Sequence, residues 1–301
     1  MKRTGIVGLG NMGIGMSKNL VKAGFPLSGF DLREDRKRML AELGGTPVSS
    51  VGEVGENSDC VFVMVMNGAQ VQSVVASEGG LLETMRPGSC IIVTATINPS
   101  DVRTLVQPAE KKGVTLIDSP VSGGKGGADS GTLTMMAAAK KEVLEEHRRV
   151  LEGVGKNIFH VGERIGQGQV VKAALQALIG ASFTAIFESL VLGTKAGADP
   201  EILYDVFCAS AVGSGLLRNC GTLILDRKFE NTGSHIGTMY KDLGISMAMA
   251  KESGCAMFTA STAYELFQTG ISLYPQGDNW SIVKFLEQIA GTEVKRTGSK
   301  S

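Results

Sequence analysis

The chain has 301 residues, 43% of them hydrophobic, with 30 basic side chains balanced by 30 acidic ones. That length supports two domains and a sizeable core, and the charge balance removes any electrostatic case for nucleic acid or a membrane surface as partner. Forty glycines and one tryptophan fit a globular, enzyme-like chain with many tight turns, not a disordered one.

The start, MKR followed by GIVGLGNMGIGMSK, is too glycine-rich for a signal peptide, so a cytoplasmic location is expected. Cys60, Cys90, Cys208, Cys220 and Cys255 lie mostly in apolar segments with no CxxC, which reads as buried, reduced thiols. His147, His160 and His235 show no ligand spacing, so no metal site is expected.

Residues 4–8 read as a short buried strand running into a helix that turns Met12, Met16, Leu20 and Val21 inward. Across the junction lies Gly8-x-Gly10-x-x-Gly13. The first glycine allows the tight turn, the second lets backbone approach a pyrophosphate, and the third lets helix and strand pack closely. The helix N-terminus, with Asn11 and Met12 between the last two glycines, offers backbone N–H groups to the phosphates. A second strand, PLSGF, ends at Asp31, placed to take the ribose hydroxyls of NAD. The plain alternative is an ordinary strand–helix–strand turn with a solvated aspartate. Arg33 and Arg36 follow closely, so the acid favours NAD while NADP stays open.

Apolar runs at 60–65, 90–95 and 114–118 read as strands covered on both faces, with helices near 33–43, 69–76 and 99–112. Alternation of this kind predicts a doubly wound parallel sheet, whose ligands sit beyond the strand carboxyl ends. The ends concerned are Met66-Asn67, Thr96 and the run Ser119 to Gly124. Ser122 with Gly123 and Gly124 presents a hydroxyl and close N–H groups suited to a carboxylate; the same residues also make an ordinary turn. A strand at 132–139, a surface helix at 141–152 and a strand at 157–162 follow, and the boundary is expected in the Gly162–Gly166 connection, giving domains 1–164 and 165–301.

The run from Gly166 to Gly197 is uncharged between Lys172 and Glu188 and apolar on nearly every face, which predicts a helix buried on all sides. About thirty residues make a rod of roughly 45 Å. Gln176, Gly180, Ser182 and Thr184 interrupt its apolar stretch, so it is expected to be a strut between domains and not a membrane span. Lys172 and Gln176 share one of its faces. From Asp199-Pro200, an N-cap with proline at the first position, helices are expected near 200–209, 214–226, 238–253, 258–270 and 278–290. Trp280 reads as core or interface, and the tail TEVKRTGSKS as polar and disordered.

GLGNMGIGMSKNL, DSPVSGG, the GQGQVVK run and KDLG at 241–244 resemble, in order and spacing, the signature blocks of the β-hydroxyacid dehydrogenase family. The resemblance spans nearly the whole chain. It implies a Rossmann-like α/β domain, then an all-α domain opened by a long interdomain helix, and hydride transfer between a hydroxy acid or semialdehyde and a nicotinamide cofactor. Carried over by position, Lys172 is the catalytic lysine, Ser122, Gly123 and Gly124 hold the substrate carboxylate, and Thr96 lies beside the nicotinamide. Lys241 and Asp242 match the pair that closes the cleft, assigned to cofactor and substrate respectively. Met66-Asn67 stands where the family has Leu-Pro against the cofactor. Gln176 replaces the usual asparagine one turn after the lysine, and it, with VMNGAQV at 65–71, resembles the L-threonate branch. Ala95 replaces a usual serine.

Lysine in water titrates near ~10.4, so burial and neighbouring positive charge must favour its neutral form before it can take a hydroxyl proton. The resulting expectation is NAD-dependent oxidation of a four-carbon polyhydroxy acid by a homodimer or homotetramer. The alternatives are a 3-hydroxyisobutyrate dehydrogenase, a semialdehyde reductase, or an inactive relative kept for binding, against which the presence of Lys172 argues.

Overall fold

A computed structural model describes residues 1–298, and the chain divides into one compact unit, Met1–Lys172, and a second from Ala173 onward. In the first unit the strands are β1 (Thr4–Val7), β2 (Leu27–Phe30), β3 (Thr46–Pro47), β4 (Cys60–Val63), β5 (Cys90–Val93), β6 (Thr115–Asp118), β7 (Val121–Ser122), β8 (Leu133–Ala138) and β9 (Gly155–Gly162). They form one sheet in the order β3-β2-β1-β4-β5-β6-β8-β7, with β9 on the free side of β8. The pairings from β3 to β6 are parallel, as expected of a doubly wound sheet. β8 reverses direction against β6 and β7, then pairs parallel with β9. The chain runs outward from β1 through β2 to β3, then returns to β4 on the other side of β1. That reversal opens a crevice beyond the β1 and β4 carboxyl ends.

Strand periodicity splits the apolar residues into two layers. Ile6, Phe62, Ile92 and Ile117 enter one core, and Val7, Val61, Val63, Ile91 and Val93 enter the other. Full burial of each such side chain contributes roughly 1.5–3 kcal/mol, which is why these strands are apolar on both faces. The segment expected as one helix at 99–112 is two, Pro99–Arg103 and Val106–Lys111. Pro108 explains the break: lacking an N–H, it fits only the first turn of a restarted helix.

The second unit is all helical. Its rod, Gln167–Lys195, begins in the first unit. Helices Pro200–Ala209, Gly215–Leu225, Ile236–Ser253, Phe258–Leu273 and Ile282–Ala290 follow, close to the expected ranges. The Asp199 carboxylate caps its helix, accepting from the N–H groups of Ile202 at 3.1 Å and Glu201 at 2.9 Å; the Ile202 bond, then the Thr297 hydroxyl, holds it below the usual carboxylate range. Gly180 lets the Ile236–Ser253 helix come close, since a Cβ there would lie 2.7 Å from Leu243. Trp280 is core, its indole N–H donating to the Lys228 carbonyl at 2.6 Å.

Three expectations need correction. The rod is not buried all round: Phe183, Phe187, Leu190 and Val191 enter the core of the second unit, but Leu178 is 65% and Leu192 72% exposed. The helices of one chain cover only part of its circumference. Nor do its polar residues break its hydropathy, for it is long and apolar enough to cross a membrane; its buried aromatic face marks it instead as a protein core helix. The tail is also docked as far as it is described. Val294 is fully buried, and Arg296 forms ion pairs with Asp226 at 2.6 Å and Glu201 at 2.8 Å. Residues 299–301 of the expected disordered tail lie outside the described residues.

Candidate active site

The glycine loop follows β1. Gly8 has φ +96°, and a Cβ there would stand 2.3 Å from the Met64 carbonyl oxygen. A Cβ on Gly13 would lie 1.9 Å from the Gly8 carbonyl oxygen, so helix and loop meet backbone to backbone. Gly10 differs: a Cβ on it meets nothing and projects into open space above the loop. Gly10 is also the helix N-cap, with no side-chain cap and no acid in the first turn. The first bond of the helical ladder runs from Ile14 N–H to the Gly10 oxygen, which leaves the N–H groups of Asn11, Met12 and Gly13 ahead of it. An uncapped positive helix end beside side-chain-free space fits a dinucleotide pyrophosphate.

Asp31 lies just beyond β2. One carboxylate oxygen accepts the Leu9 N–H at 2.7 Å, and the other accepts the Arg33 N–H at 2.9 Å. The acid is therefore locked to the loop it would serve. Arg33 turns to Asp35, 2.6 Å away, and this partner holds the Asp35 carboxyl below its usual range. Arg36 donates to the Asn11 side-chain amide oxygen, Oδ1, at 3.4 Å.

Met66 and Asn67 are exposed. Asn67 caps the Gly68–Ala76 helix by accepting the Gln70 N–H at 2.9 Å, while the Gln70 side chain accepts the Met66 N–H at the same distance. Their visible role is to start that helix at the carboxyl end of β4. Ser122 ends β7, half-buried, and Gly123 and Gly124 take φ +130° and +58° at the head of a short helix.

Thr96 sits in a loop gripped by a network that sequence reading missed. Gln169, 1% exposed, accepts the Ile97 N–H at 3.0 Å and donates to the Ala95 carbonyl at 3.0 Å and to Asp118 at 2.9 Å. Asp118 also accepts the Gly166 N–H at 2.8 Å. Burial pushes this carboxyl up to about 6, against the pull of those donors. The signals available were an aspartate ending an apolar strand and a second glutamine in GQGQ. The clamp fixes the Thr96 loop and the root of the rod, and Lys172, 6% exposed, stands three residues further along that helix.

In the second unit Gln176, 7% exposed, donates its amide to Asp242 at 2.6 Å. Lys241 lies 2.8 Å from the other Asp242 oxygen, close enough for an ion pair but off hydrogen-bond direction. Ser246 ties the same helix to the rod by donating to the Ala173 carbonyl at 2.7 Å. The structure thus gathers Gly8, Gly10, Gly13 and Asp31 in one cradle and Gln176, Lys241 and Asp242 in one cluster.

Fold and cradle together define a nicotinamide-nucleotide-dependent dehydrogenase. Residues 3–162 match the family described as "NAD binding domain of 6-phosphogluconate dehydrogenase", and residues 166–286 match "NAD-binding of NADP-dependent 3-hydroxyisobutyrate dehydrogenase". A probable mitochondrial 3-hydroxyisobutyrate dehydrogenase of Dictyostelium discoideum is 35% identical over 88% of this chain and 84% of its own. An L-threonate dehydrogenase of Cupriavidus necator is 32% identical over 94% of this chain and 95% of its own. The crystal structure of a 3-hydroxyisobutyrate dehydrogenase from Salmonella typhimurium, 29% identical, superposes with a TM-score of 0.86, covering 94% of this chain and 99% of that one. The chain belongs to the β-hydroxyacid dehydrogenase family, and its cofactor is NAD or NADP.

Proposed function

We propose that the protein oxidises a small four-carbon polyhydroxy acid of the L-threonate type, with NAD as the preferred cofactor. The observation that carries this reading is the Gln176–Asp242 bond. On the rod, a buried amide one turn beyond Lys172 is oriented by a buried carboxylate. An amide held in this way by Asp242 suits a substrate that carries several hydroxyls, as a polyhydroxy acid does. L-threonate dehydrogenases are among the relatives that match nearly the whole chain.

When bound, the nicotinamide supplies the hydride acceptor for the carbinol carbon. Lys172 takes the hydroxyl proton at Nζ as the carbonyl forms, a role that requires its neutral form; in reduction it returns the proton. Ser122 and the Gly123 and Gly124 amides hold the carboxylate, and Thr96, set by the Gln169 clamp, borders the ring. Asp31 takes the ribose hydroxyls, and its charge repels a 2′-phosphate. We also infer that a second copy covers the open side of the rod, where Leu178 and Leu192 are exposed, giving a dimer or tetramer, and that the protein works in the cytoplasm.

The test is reduced-cofactor formation with L-threonate, D-erythronate, 3-hydroxyisobutyrate, D-glycerate and 4-hydroxybutyrate, each with NAD and with NADP. Turnover led by L-threonate and NAD supports the reading. Preference for 3-hydroxyisobutyrate, the second reading given by the relatives' names, removes the polyhydroxy-acid assignment and leaves the family intact.

A further inference from the structure

Three side chains able to bind metal converge at the amino ends of β4 and β5, on the opposite edge of the sheet from the glycine loop. Cys60 and Cys90 are the first residues of their strands and direct partners in the parallel register. Strand periodicity turns both to the face carrying Phe62 and Ile92, and His147, on the Lys141–Glu152 helix, packs on that face. The ligand atoms of the three residues lie within 4.8 Å of one another, with both cysteines fully buried and His147 2% exposed. An ion centred among atoms so spaced would be about 2.8 Å from each, so rotamer adjustments of about half an ångström reach the ~2.3 Å of a zinc–sulfur bond.

The imidazole is already arranged as a metal ligand. Its Nδ1–H donates to the Val143 carbonyl at 2.9 Å, the outer bond that orients metal-bound histidines. That fixes the tautomer and leaves a lone pair on Nε2. The lone pair faces a cation: the Lys2 ammonium is 2.9 Å from Nε2 and 2.7 Å from the Glu146 carboxylate. A positive charge thus already stands between an imidazole nitrogen and a carboxylate.

We propose that Cys60, Cys90 and His147 form a structural site for a thiophilic d¹⁰ ion, zinc(II) in the first instance, which takes the place of the Lys2 ammonium with Glu146 as fourth ligand. Lys2 and Glu146 have side chains 29% and 60% exposed, so the lysine has a path to solvent and the carboxylate is free to follow the ion. Binding replaces two S–H bonds by two Zn–S bonds and releases both protons, with no change of oxidation state. Burial, then the neighbouring Cys60, holds the Cys90 thiol well above its usual range, so the ion itself must drive that deprotonation. Occupied, the site pins β4, β5 and the Lys141–Glu152 helix together.

The test is zinc retention after gel filtration, with Cys255→Ser as background because that thiol is exposed. One equivalent is expected in this protein and none in the added Cys60→Ser/Cys90→Ser variant, with dehydrogenase turnover of the metal-free forms unchanged. Lys2→Met removes the competing cation and should bind about tenfold tighter. Zinc retention no greater than in the double-serine variant, or weaker binding by Lys2→Met, overturns the proposal. Should the double variant fail to fold, cobalt(II) titration of the unsubstituted chain decides. A thiolate-to-cobalt charge-transfer band with tetrahedral visible bands supports the site, and an octahedral spectrum without charge transfer refutes it.

Discussion

Replacing Gln169 with leucine, a side chain of similar size without polar atoms, isolates the clamp that holds the Thr96 loop. The substitution strips partners from the Ile97 N–H, the Ala95 carbonyl and one oxygen of Asp118. Each buried polar group left unmade costs about 1–3 kcal/mol, and relaxation in so small a network makes the sum less than additive, so a loss of roughly 3–6 kcal/mol is expected. The pH dependence carries the more specific signature. Asp118 has a folded pKa raised to about 6 from an ordinary 3.8, so the folded state binds its proton more tightly than the unfolded chain does. Its contribution is fully present below pH 3.8 and is lost as pH rises through about 6, a swing of roughly 3 kcal/mol at ~1.4 kcal/mol per pKa unit. The Gln169 hydrogen bond pulls against that rise. Without it the folded pKa climbs further, and the loss of stability moves to higher pH and deepens. Urea unfolding of both proteins from pH 4.5 to pH 8 measures this (an ordinary working range for carboxylate linkage), because the difference between them cancels carboxylates that titrate alike. A difference under about 0.5 kcal/mol at neutral pH, or one that does not grow with pH, would refute the assigned network.

Lys172→Ala should lower turnover by several orders of magnitude while cofactor affinity persists; near-normal turnover removes the lysine from the proton-transfer role. Gly13→Ala places a Cβ against the Gly8 carbonyl oxygen, so calorimetry should show cofactor binding weakened at least about tenfold, and unchanged affinity would mean that the loop yields without cost. Asp31→Ser should shift the NADP-to-NAD ratio of kcat/KM towards NADP; an unmoved ratio would place the discrimination elsewhere. Leu178→Asp puts a charge on the open side of the rod and should yield monomers by light scattering. If the wild type is itself monomeric, the proposed subunit interface is wrong.

Much of the fold was legible in the sequence because its signals are local. The turn at Gly8, the uncapped helix start at Gly10 and the distance to Asp31 all lie within one strand–helix–strand unit, where spacing along the chain becomes spacing in space. The Asp199 cap and the apolar strands β4 and β5 are local for the same reason. Other features depended on pairings between distant segments. Sheet register decided that Cys60 would face Cys90, and helix packing brought His147 to them, so no ligand spacing existed to be read. The Asp118–Gln169 clamp arises where one strand end meets the root of a helix far along the chain, and a polar residue does not advertise which buried donors it will satisfy. The docking of Val294 and Arg296 turned a polar-looking tail into packed structure, because one buried valine and two ion pairs outweigh its composition. The rod shows both sides of this division. Its hydropathy declared a long apolar helix, but only the tertiary structure determined which face the chain covers and which it leaves open, since covering depends on the shape of neighbours and not on the helix itself.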